Sequence, residues 1–363
     1  MELKEFDWNE KPTGVIFSGI YSFIERGPLC DKVKKVFGRE NEKLALKIFR
    51  EPFYQEKVED FYWGSIFCPD NHRSKLVGAT IAQNTAAWYG LAPRVYGLVV
   101  IKYKGFKFLA QLTDDLGDEA DSPKKMDDVY YHLTAKLKKH NIVSPIGDKN
   151  KNSMRGKWID FQGAGLMDNF EEEFKKRVEK EACFIEGTHY QTQPELGIKG
   201  FRDSEQRVKD LKLGEIDFKD KTVLDVGCMG GFFCNYAYKR GAKRVVGLDL
   251  PVQAQIAYEI SNYLGNWNID YIPKIIEGKD DIKELAGLGK FDIVLYLAVN
   301  WYLGFPQWVF DLTNEVMLVE KNGKEDGIAD EAVEKTLKDH FKSVEIIGHR
   351  NDFDKQPIFK CLK

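Results

Sequence analysis

The chain has 363 residues, a length that favours two packed domains. Hydrophobic residues make up 43% and aromatic residues 13%, a composition that excludes a disordered protein. Its net charge of −3 provides no global basic field for nucleic acid or an anionic membrane, and no apolar stretch is long enough to span a bilayer. The six cysteines form neither a CxxC pair nor a Cys/His cluster, so they indicate reduced thiols in a cytoplasmic protein rather than a zinc site.

Residues 1–165 are predicted to form an α+β domain. Up to about residue 112, β-rich runs flank one helix near residues 74–90, and the runs read GVIFSGIYSFI, LALKIF, RVYGLVVIKY and FKFLAQL. Residues 113–165 are polar and turn-rich, with a helical piece at MDDVYYHLTAKLKKH. In residues 168–182 acids precede bases, as suits a helix dipole. We therefore expect residues 166–182 to form a linker helix.

The remaining residues, 183–363, alternate strand-like and helical patterns. The strand-like runs are KTVLDVG, RVVGLDL, YIPKII, FDIVLYLA, VMLVE and SVEIIG. Helical patterns lie between them, for example at residues 252–264 and 330–341. Strands that alternate with helices predict a parallel sheet covered on both faces. The predicted fold class is therefore α/β, with a Rossmann-like sheet preceded by the α+β domain.

A glycine-rich turn follows the first of these strands, in VLDVGCMGGFF. The glycines allow the backbone to approach a ligand closely, although their spacing is not the GxGxxG of dinucleotide-binding domains. Asp249 ends the next strand, 24 residues after Asp225, where an acid can accept hydrogen bonds from ribose hydroxyls. A dinucleotide site and a buried structural acid are the alternative interpretations.

LDVGCMGGFF together with Asp249 resembles the first motifs of class I S-adenosylmethionine-dependent methyltransferases. The resemblance covers about 180 residues and implies that Asp249 binds the ribose, while Asp280 or Asp281, with Ile282, contacts the adenine. Leu250 and Leu297, at strand ends, are also expected to contact the cofactor. The residues expected to line the methionine end of the cofactor are Asp225, Gly227, Cys228, Met229 and Gly231.

Two further segments resemble one branch of this family. FDIVLYLAVNWYLG matches the fourth motif, and Tyr302 stands where relatives often carry His. HYQTQPELGIKGFRDSEQR resembles the lead-in of a branch that contains sugar O-methyltransferases and tRNA wobble-uridine modifiers, in which a His-containing or aromatic start folds over the cofactor. The resemblance therefore implies an acceptor site at the carboxyl ends of the strands.

Methyl transfer often needs a base that takes a proton from the acceptor. His189 is the first candidate because histidine titrates near neutrality, and a capping or surface role is the alternative. Glu320 and His349 are further candidates, and a solvated carboxylate is the alternative for Glu320. Tyr302 is a candidate through its place beside the acceptor, where it could form an aromatic wall or simply pack. No carboxylate pair has ligand spacing, so no metal is assigned.

The first domain resembles a protein-kinase-like fold. LALKIFR matches the strand that carries the phosphate-binding lysine, here Lys47, while Asp148 resembles a catalytic-loop residue and Asp160 the metal-binding DFG aspartate. The resemblance implies ATP and Mg²⁺ as ligands. No Glu occurs between His72 and Leu91 to pair with the lysine, and no chain remains for a helical lobe. An active kinase, a degenerate kinase-like module and an unrelated α+β domain remain the alternatives.

Three functions are consistent with these features. The first is methyl transfer to a sugar, a glycan or another small hydroxylated acceptor, which the branch resemblance favours. The second is modification of RNA or tRNA, which the charge of the chain does not favour. The third is a non-catalytic module that senses the cofactor. The sequence predicts no oligomeric state.

Overall fold

The computed structural model describes most of the chain. The described residues are 3–8, 17–18, 22–52, 76–104, 106–117, 121, 123–143, 153–154, 157–158, 161, 164–181, 183–185, 188–275, 285, 287–322, 329–351 and 355–363. The chain divides into two compact units, of which unit 1 comprises residues 1–176 and 262–268. Unit 2 comprises residues 177–261 and 269–363. Within the described segments, no helix is long and apolar enough to cross a membrane.

Unit 1 is built on a mixed sheet with the order β1-β5-β6-β4-β3-β2, in which only β1 and β5 pair in parallel. Its strands are β1 (Lys4–Asp7), β2 (Phe17–Ser18), β3 (Ser22–Glu25), β4 (Leu44–Pro52), β5 (Val95–Tyr103), β6 (Phe106–Asp114), β7 (Ile142–Val143), β8 (Ser153–Met154), β9 (Lys157–Trp158) and β10 (Gly165–Leu166). Its helices are α1 (Pro28–Val36), α2 (Leu76–Trp88) and α3 (Pro123–Lys139), and α4 (Phe170–Glu181) leads into unit 2.

Helices α2 and α3 agree with the predicted helical segments, whereas α1 was not predicted. Helix α1 starts at a proline, which suits the first helical position, and it buries Leu29, Cys30 and Val33. The Glu25 carboxylate accepts hydrogen bonds from the backbone N–H groups of Gly27 (2.6 Å) and Cys30 (2.7 Å). This carboxylate therefore satisfies donors at the helix start that have no partner inside the helix.

Residues 262–268 belong to unit 1, although they comprise the end of the third helix and the loop before the third strand of the Rossmann-like region. The Trp267 ring is buried in an apolar cluster with Phe49, Leu98, Val100 and Leu109. The neighbouring Asn268 side chain bonds to two sites of unit 1. Its oxygen accepts from Arg39 Nε at 2.9 Å, and its Nδ2 donates to the Phe37 carbonyl at 2.9 Å. Unit 1 is thus completed by a distant segment, a feature that the sequence did not predict.

Unit 2 contains a seven-stranded sheet with the order β15-β14-β13-β16-β17-β19-β18. Its elements are β11 (Cys183–Ile185), β12 (Thr188–His189), α5 (Ser204–Asp210), β13 (Thr222–Val226), α6 (Phe232–Lys239), β14 (Arg244–Asp249), α7 (Pro251–Tyr263), β15 (Ile269–Pro273), β16 (Phe291–Leu297), α8 (Asn300–Leu303), α9 (Gln307–Leu312), β17 (Thr313–Glu320), α10 (Asp330–Lys338), β18 (Ser343–His349) and β19 (Pro357–Leu362). Strands β13 to β17 are parallel to one another, and β19 is antiparallel to both of its neighbours.

The direction of the strand order reverses between β13 and β16, because β14 and β15 lie on one side of β13 while β16 and β17 lie on the other. Open parallel sheets bind ligands outside the carboxyl ends of the strands at such a point. The central strands are buried on both faces, as the continuous apolar runs predicted. This architecture confirms the predicted α/β class and places the glycine turn after β13 at the switch point.

Candidate active site

The turn after β13 has a backbone that few residues other than glycine adopt. Gly227 and Gly231 have φ angles of +74° and +72°, and Met229 between them has +51°. A Cβ on Gly227 would lie 2.3 Å from Val299 Cγ1, and one on Gly231 would lie 2.5 Å from the Tyr271 hydroxyl oxygen. Both glycines are therefore required by conformation and by space.

Asp249, at the end of β14, is bonded to this turn. Its Oδ2 accepts a hydrogen bond from Met229 N at 2.6 Å, and its Oδ1 accepts one from Leu250 N at 2.7 Å. Burial raises the pKa of the Asp249 carboxyl, and the two backbone N–H groups partly oppose that shift. Leu250 is exposed beside it. Each carboxylate oxygen keeps a further lone pair, so Asp249 can still accept from a ribose hydroxyl as the sequence predicts.

We expect Asp249→Ala to weaken the affinity for S-adenosylmethionine by roughly tenfold or more, because charge-assisted hydrogen bonds to the ligand and to Met229 N are both lost. Calorimetric titration of the wild type and the variant measures this effect. Asp220→Ala, at an exposed position in the loop before β13, provides a control and should bind as the wild type does. Equal affinity of wild type and Asp249→Ala would contradict the assignment of this carboxylate to the ribose.

Asp225 and two cysteines lie buried around the same turn. Burial raises the pKa of Asp225 to about 7, and Cys234 Sγ donates to its Oδ2 at 3.5 Å. Burial also raises the pKa of the Cys228 thiol and raises that of Cys234 to about 11, so both stay protonated and pack as small apolar groups. Gly227, Met229 and Gly231 thus form the turn itself, while the side chains of Asp225 and Cys228 lie inside the unit.

The end of β16 closes the other side of the switch point. Leu297 is buried and pairs in register with Glu320 of β17, and Ala298 after it has a φ of +60°. Tyr302 on α8 is 55% exposed, yet its hydroxyl oxygen would lie only 3.3 Å from a Cβ on Gly227. Two residues that the sequence predicted for different roles, Gly227 and Tyr302, are therefore adjacent.

His189 lies against the same turn. Its side chain is only 3% exposed, and its Nδ1 lies 2.5 Å from the Gln191 carbonyl oxygen. A Cβ on Gly230 would lie 3.1 Å from His189 Cε1 and 3.3 Å from Nε2, so that edge of the ring faces the turn. Within the described residues Nε2 is buried and makes no hydrogen bond. Burial lowers the pKa of His189, against the opposing effect of its bond to Gln191, so the ring is neutral near pH 7.

Two glutamines contact the turn in addition to His189, and the sequence did not single them out. Gln193 Nε2 donates to the Gly230 carbonyl at 3.2 Å, and Gln191 Oε1 accepts from Phe232 N at 3.3 Å. Both glutamines are buried. The alternation in HYQTQ places residues 189, 191 and 193 on one side of an extended segment, and this period of two could have identified them.

Glu320, at the end of β17, is surrounded by arginines. Its side chain is 1% exposed, and its carboxylate accepts hydrogen bonds from Arg202 Nη2 at 2.7 Å and Arg207 Nη2 at 2.5 Å. Arg350 Nε forms an ion pair with the same carboxylate at 3.2 Å. Burial alone would raise the pKa of Glu320, but the guanidinium groups of Arg207, Arg202 and Arg350 hold it at about 2. A carboxylate with so low a pKa is a weak proton acceptor at neutral pH, so this geometry favours charge pairing over general-base catalysis. His349 lies exposed at the end of β18.

The nucleotide-binding residues predicted for unit 1 are only partly described. Lys47 lies on β4 opposite Ile24 and Gln111, with its Nζ 5.8 Å from the centroid of the Phe49 ring. Asp148 and Asp160 lie outside the described residues, as do Asp280, Asp281 and Ile282 of the predicted adenine contact. In the described part of the chain, no cluster of three or more His, Cys, Asp or Glu side chains could hold a metal ion.

Comparisons with known proteins agree with this architecture. Residues 209–296 match the FtsJ-like methyltransferase family. The chain is 31% identical over 103 residues to protein arginine N-methyltransferase 1 of Caenorhabditis elegans, and the alignment covers 28% of each protein. It is 24% identical over 132 residues to ribosomal protein L11 methyltransferase of Bacteroides thetaiotaomicron. That alignment covers 34% of this chain and 45% of the relative. The chain thus spans less than half the length of these curated relatives.

Solved structures also resemble the chain. The bifunctional kinase-methyltransferase WbdD is 19% identical with a TM-score of 0.40, and the match covers 51% of this chain and 45% of that one. The N-terminal domain of EvdMO1, solved in the presence of SAH and D-fucose, is 14% identical with a TM-score of 0.40. That match covers 54% of this chain and 97% of the domain.

The family match spans the predicted cofactor side of the site, whereas His189, Tyr302 and Glu320 lie outside it. It includes β13, the glycine turn, β14, α7, β15 and nearly all of β16. Together with the parallel sheet, this match confirms the prediction of a methyltransferase domain that uses S-adenosylmethionine. Residues 209–296 thus resemble FtsJ-like methyltransferases and lie within a Rossmann-like unit.

Proposed function

We propose that the chain is an S-adenosylmethionine-dependent methyltransferase that acts on a hydroxyl group of a sugar, a glycan or another small acceptor. The observation that carries this proposal is His189. It is buried against the glycine turn, and burial keeps it neutral, with an Nε2 that has no hydrogen-bond partner among the described residues. An unpaired buried acceptor costs about 1–3 kcal/mol, so a ligand that donates a proton there would be favoured.

The residues around the turn fit the proposed cofactor. Asp249 would accept hydrogen bonds from the ribose, and exposed Leu250 would lie beside the adenine. The turn with positive φ at Gly227, Met229 and Gly231 would lie against the methionine end, and Leu297 would close the site at the end of β16. When bound, S-adenosylmethionine supplies an electrophilic methyl group. The protein's task is then to orient the acceptor oxygen and to remove its proton.

His189 would act as the general base. The Gln191 carbonyl accepts the Nδ1 proton, which leaves the Nε2 lone pair available at the turn. An acceptor hydroxyl that donates to Nε2 would become more nucleophilic as its proton moves to the ring. The Tyr302 hydroxyl, close to Gly227, would help to position the acceptor. Glu320 would hold the arginines at the end of β17 rather than accept the proton.

A small hydroxylated acceptor suits the surface around this site. Tyr302 and Phe201 expose aromatic rings, and Phe201 N is bonded to the His189 carbonyl at 2.7 Å. Exposed aromatic rings can cover the apolar faces of sugar rings while nearby hydroxyls bond to their edges. Residues 166–363 carry a net charge of about −7, counted from the sequence, which disfavours the phosphate backbone of nucleic acid.

For unit 1 we propose a kinase-like module that assists or phosphorylates the acceptor, with ATP and Mg²⁺ as its ligands if it is active. Its support is the resemblance around Lys47, on a strand of the six-stranded sheet. Lys47→Ala should therefore leave the affinity for S-adenosylmethionine within about twofold, because unit 2 carries the cofactor contacts. Calorimetry with the variant tests this separation, and a large loss of affinity would show that Lys47 influences the cofactor site.

Transfer of labelled methyl from S-adenosylmethionine into fractionated host extract, with and without ATP, tests the proposed function. We expect label in a glycan or small-molecule fraction with the wild type and much less with His189→Ala. Label that requires ATP would support phosphorylation before methylation, whereas ATP-independent label would make unit 1 a scaffold. Label confined to protein or RNA would overturn the proposed acceptor class, and cofactor binding without any transfer would support a sensing module instead.

A further inference from the structure

The hydrogen bond between His189 and Gln191 determines which ring nitrogen carries the proton. Nδ1 lies 2.5 Å from the Gln191 carbonyl oxygen, and a carbonyl can only accept, so Nδ1 must be the donor. In a neutral ring this leaves Nε2 as a bare acceptor. Free neutral histidine prefers the opposite tautomer, with the proton on Nε2. The protein therefore selects the less common form at this position.

The unpaired nitrogen faces the cofactor turn. A Cβ on Gly230 would lie 3.3 Å from Nε2, and within the described residues Nε2 is buried without a hydrogen-bond partner. Among those residues Nε2 is unsatisfied in either tautomer, so the Nδ1 bond decides between them. In the other tautomer the buried Gln191 carbonyl would lose its donor and face the Nδ1 lone pair, at a cost of about 1–3 kcal/mol.

Gln191 is held in place by its own side chain. The side chain is buried, and its Oε1 accepts a hydrogen bond from Phe232 N, the first residue of α6, at 3.3 Å. That N–H has no acceptor inside the helix, so the carboxamide oxygen completes the helix start. The same residue thus joins the start of α6, directly after the turn, to the carbonyl that orients His189.

We propose that Gln191 is a positioning residue. Anchored to α6 through its carboxamide, it keeps its backbone carbonyl against Nδ1 of His189 and so directs the Nε2 lone pair toward the acceptor. This inference rests on the proposed function for its role in catalysis, whereas the choice of tautomer is a property of the protein alone. The two parts can therefore be tested separately.

Nuclear magnetic resonance of protein labelled with ¹⁵N in its histidines tests the tautomer directly. The chain has six histidines, and the His189 signals are assigned by their loss in His189→Ala. At pH 8 the wild type should show the Nδ1–H tautomer for this ring. Gln191→Met, similar in size but without the oxygen, should show a large fraction of the Nε2–H form. Gln191→Glu keeps an acceptor for Phe232 N and should restore the wild-type pattern.

Gln193→Leu is the matched control, since it removes a contact with Gly230 but no bond to His189, and it should leave the tautomer unchanged. If Gln191→Met fails to fold, Gln191→Ala removes the same carboxamide with a smaller side chain. An Nε2–H ring in the wild type would overturn the inference. A tautomer that does not respond to Gln191→Met or Gln191→Ala would overturn it as well.

Kinetics test the catalytic part. In Gln191→Met we expect kcat for methyl transfer to fall by roughly tenfold, a fraction of the full contribution of a general base, and Gln191→Glu should recover most of it. If the tautomer responds as expected but the protein transfers no methyl group, the proposed function is wrong. The positioning role of Gln191 toward His189 is then retained. If Gln191→Met alters the tautomer but leaves the rate of methyl transfer unchanged, His189 is not the base.

Discussion

Replacing His189 by alanine is expected to lower kcat for methyl transfer by about 10²- to 10⁴-fold, the usual contribution of a general base. The ring is buried against Gly230 with its Nε2 lone pair unpaired among the described residues. The affinity of His189→Ala for S-adenosylmethionine should differ from that of the wild type by about fivefold at most, which corresponds to the loss of one neutral hydrogen bond.

The measurement is single-turnover methyl transfer at saturating cofactor, with calorimetry for affinity. His132→Ala is the control, because His132 is exposed on α3 of unit 1 and should leave both quantities unchanged. If His189→Ala instead lost cofactor affinity while retaining its turnover, His189 would be a cofactor ligand and not a base.

The rate should also depend on pH in a defined direction. Burial lowers the pKa of His189 below its usual value of 6.5, and only the neutral ring can take a proton. The rate should therefore be constant near pH 7 and should fall at a midpoint below pH 6.5. Because the unfolded chain protonates this histidine more readily, its contribution to folding stability is present above pH 6.5 and decreases as the pH falls toward the folded-state pKa. A rate that rises on acidification would contradict the assignment.

Replacing Glu320 by glutamine is expected to cost about 3–5 kcal/mol of folding free energy, because it leaves buried arginines without their counter-charge. Arg202, Arg207 and Arg350 all pair with this one carboxylate and are themselves buried. Glu315→Gln on the same strand is the matched control. Its carboxylate is 44% exposed and pairs with Lys221, so its loss should cost only about 0–1 kcal/mol.

Urea denaturation at several pH values measures both variants. The pKa of Glu320 is about 2 in the folded protein and near 4.5 when unfolded, so its stabilisation is complete above pH 4.5 and is lost as the pH falls toward 2. The difference between wild type and Glu320→Gln should shrink over that range. Equal losses in Glu315→Gln and Glu320→Gln at pH 7 would contradict the account of the arginine cluster.

The parts of the site that the sequence predicted are those whose chemistry is local. The turn from Gly227 to Gly231 requires left-handed backbone, and Asp249 ends a strand adjacent to it, so short patterns were enough to identify both. The α/β fold followed from alternating strands and helices for the same reason. His189 was proposed from its residue type, and the structure adds its contact with Gly230.

What the sequence did not predict depends on residues that are distant along the chain. The sequence left Glu320 as either a base or a solvated carboxylate, because nothing near it in sequence shows that Arg202 and Arg207, more than a hundred residues earlier, pair with it. Trp267 lies in the Rossmann-like region of the sequence, yet its ring completes the core of unit 1. In both cases tertiary packing, which has no local sequence pattern, decides the role of the residue.

Hydrogen–deuterium exchange with and without S-adenosylhomocysteine locates the cofactor site without knowledge of the acceptor. We expect new protection in residues 227–232 and 249–250, and none in β4, β5 and β6 of unit 1. The same protection should be much reduced in Asp249→Ala. Binding with protection confined to unit 1, or the absence of protection at the turn, would contradict the assignment of the site.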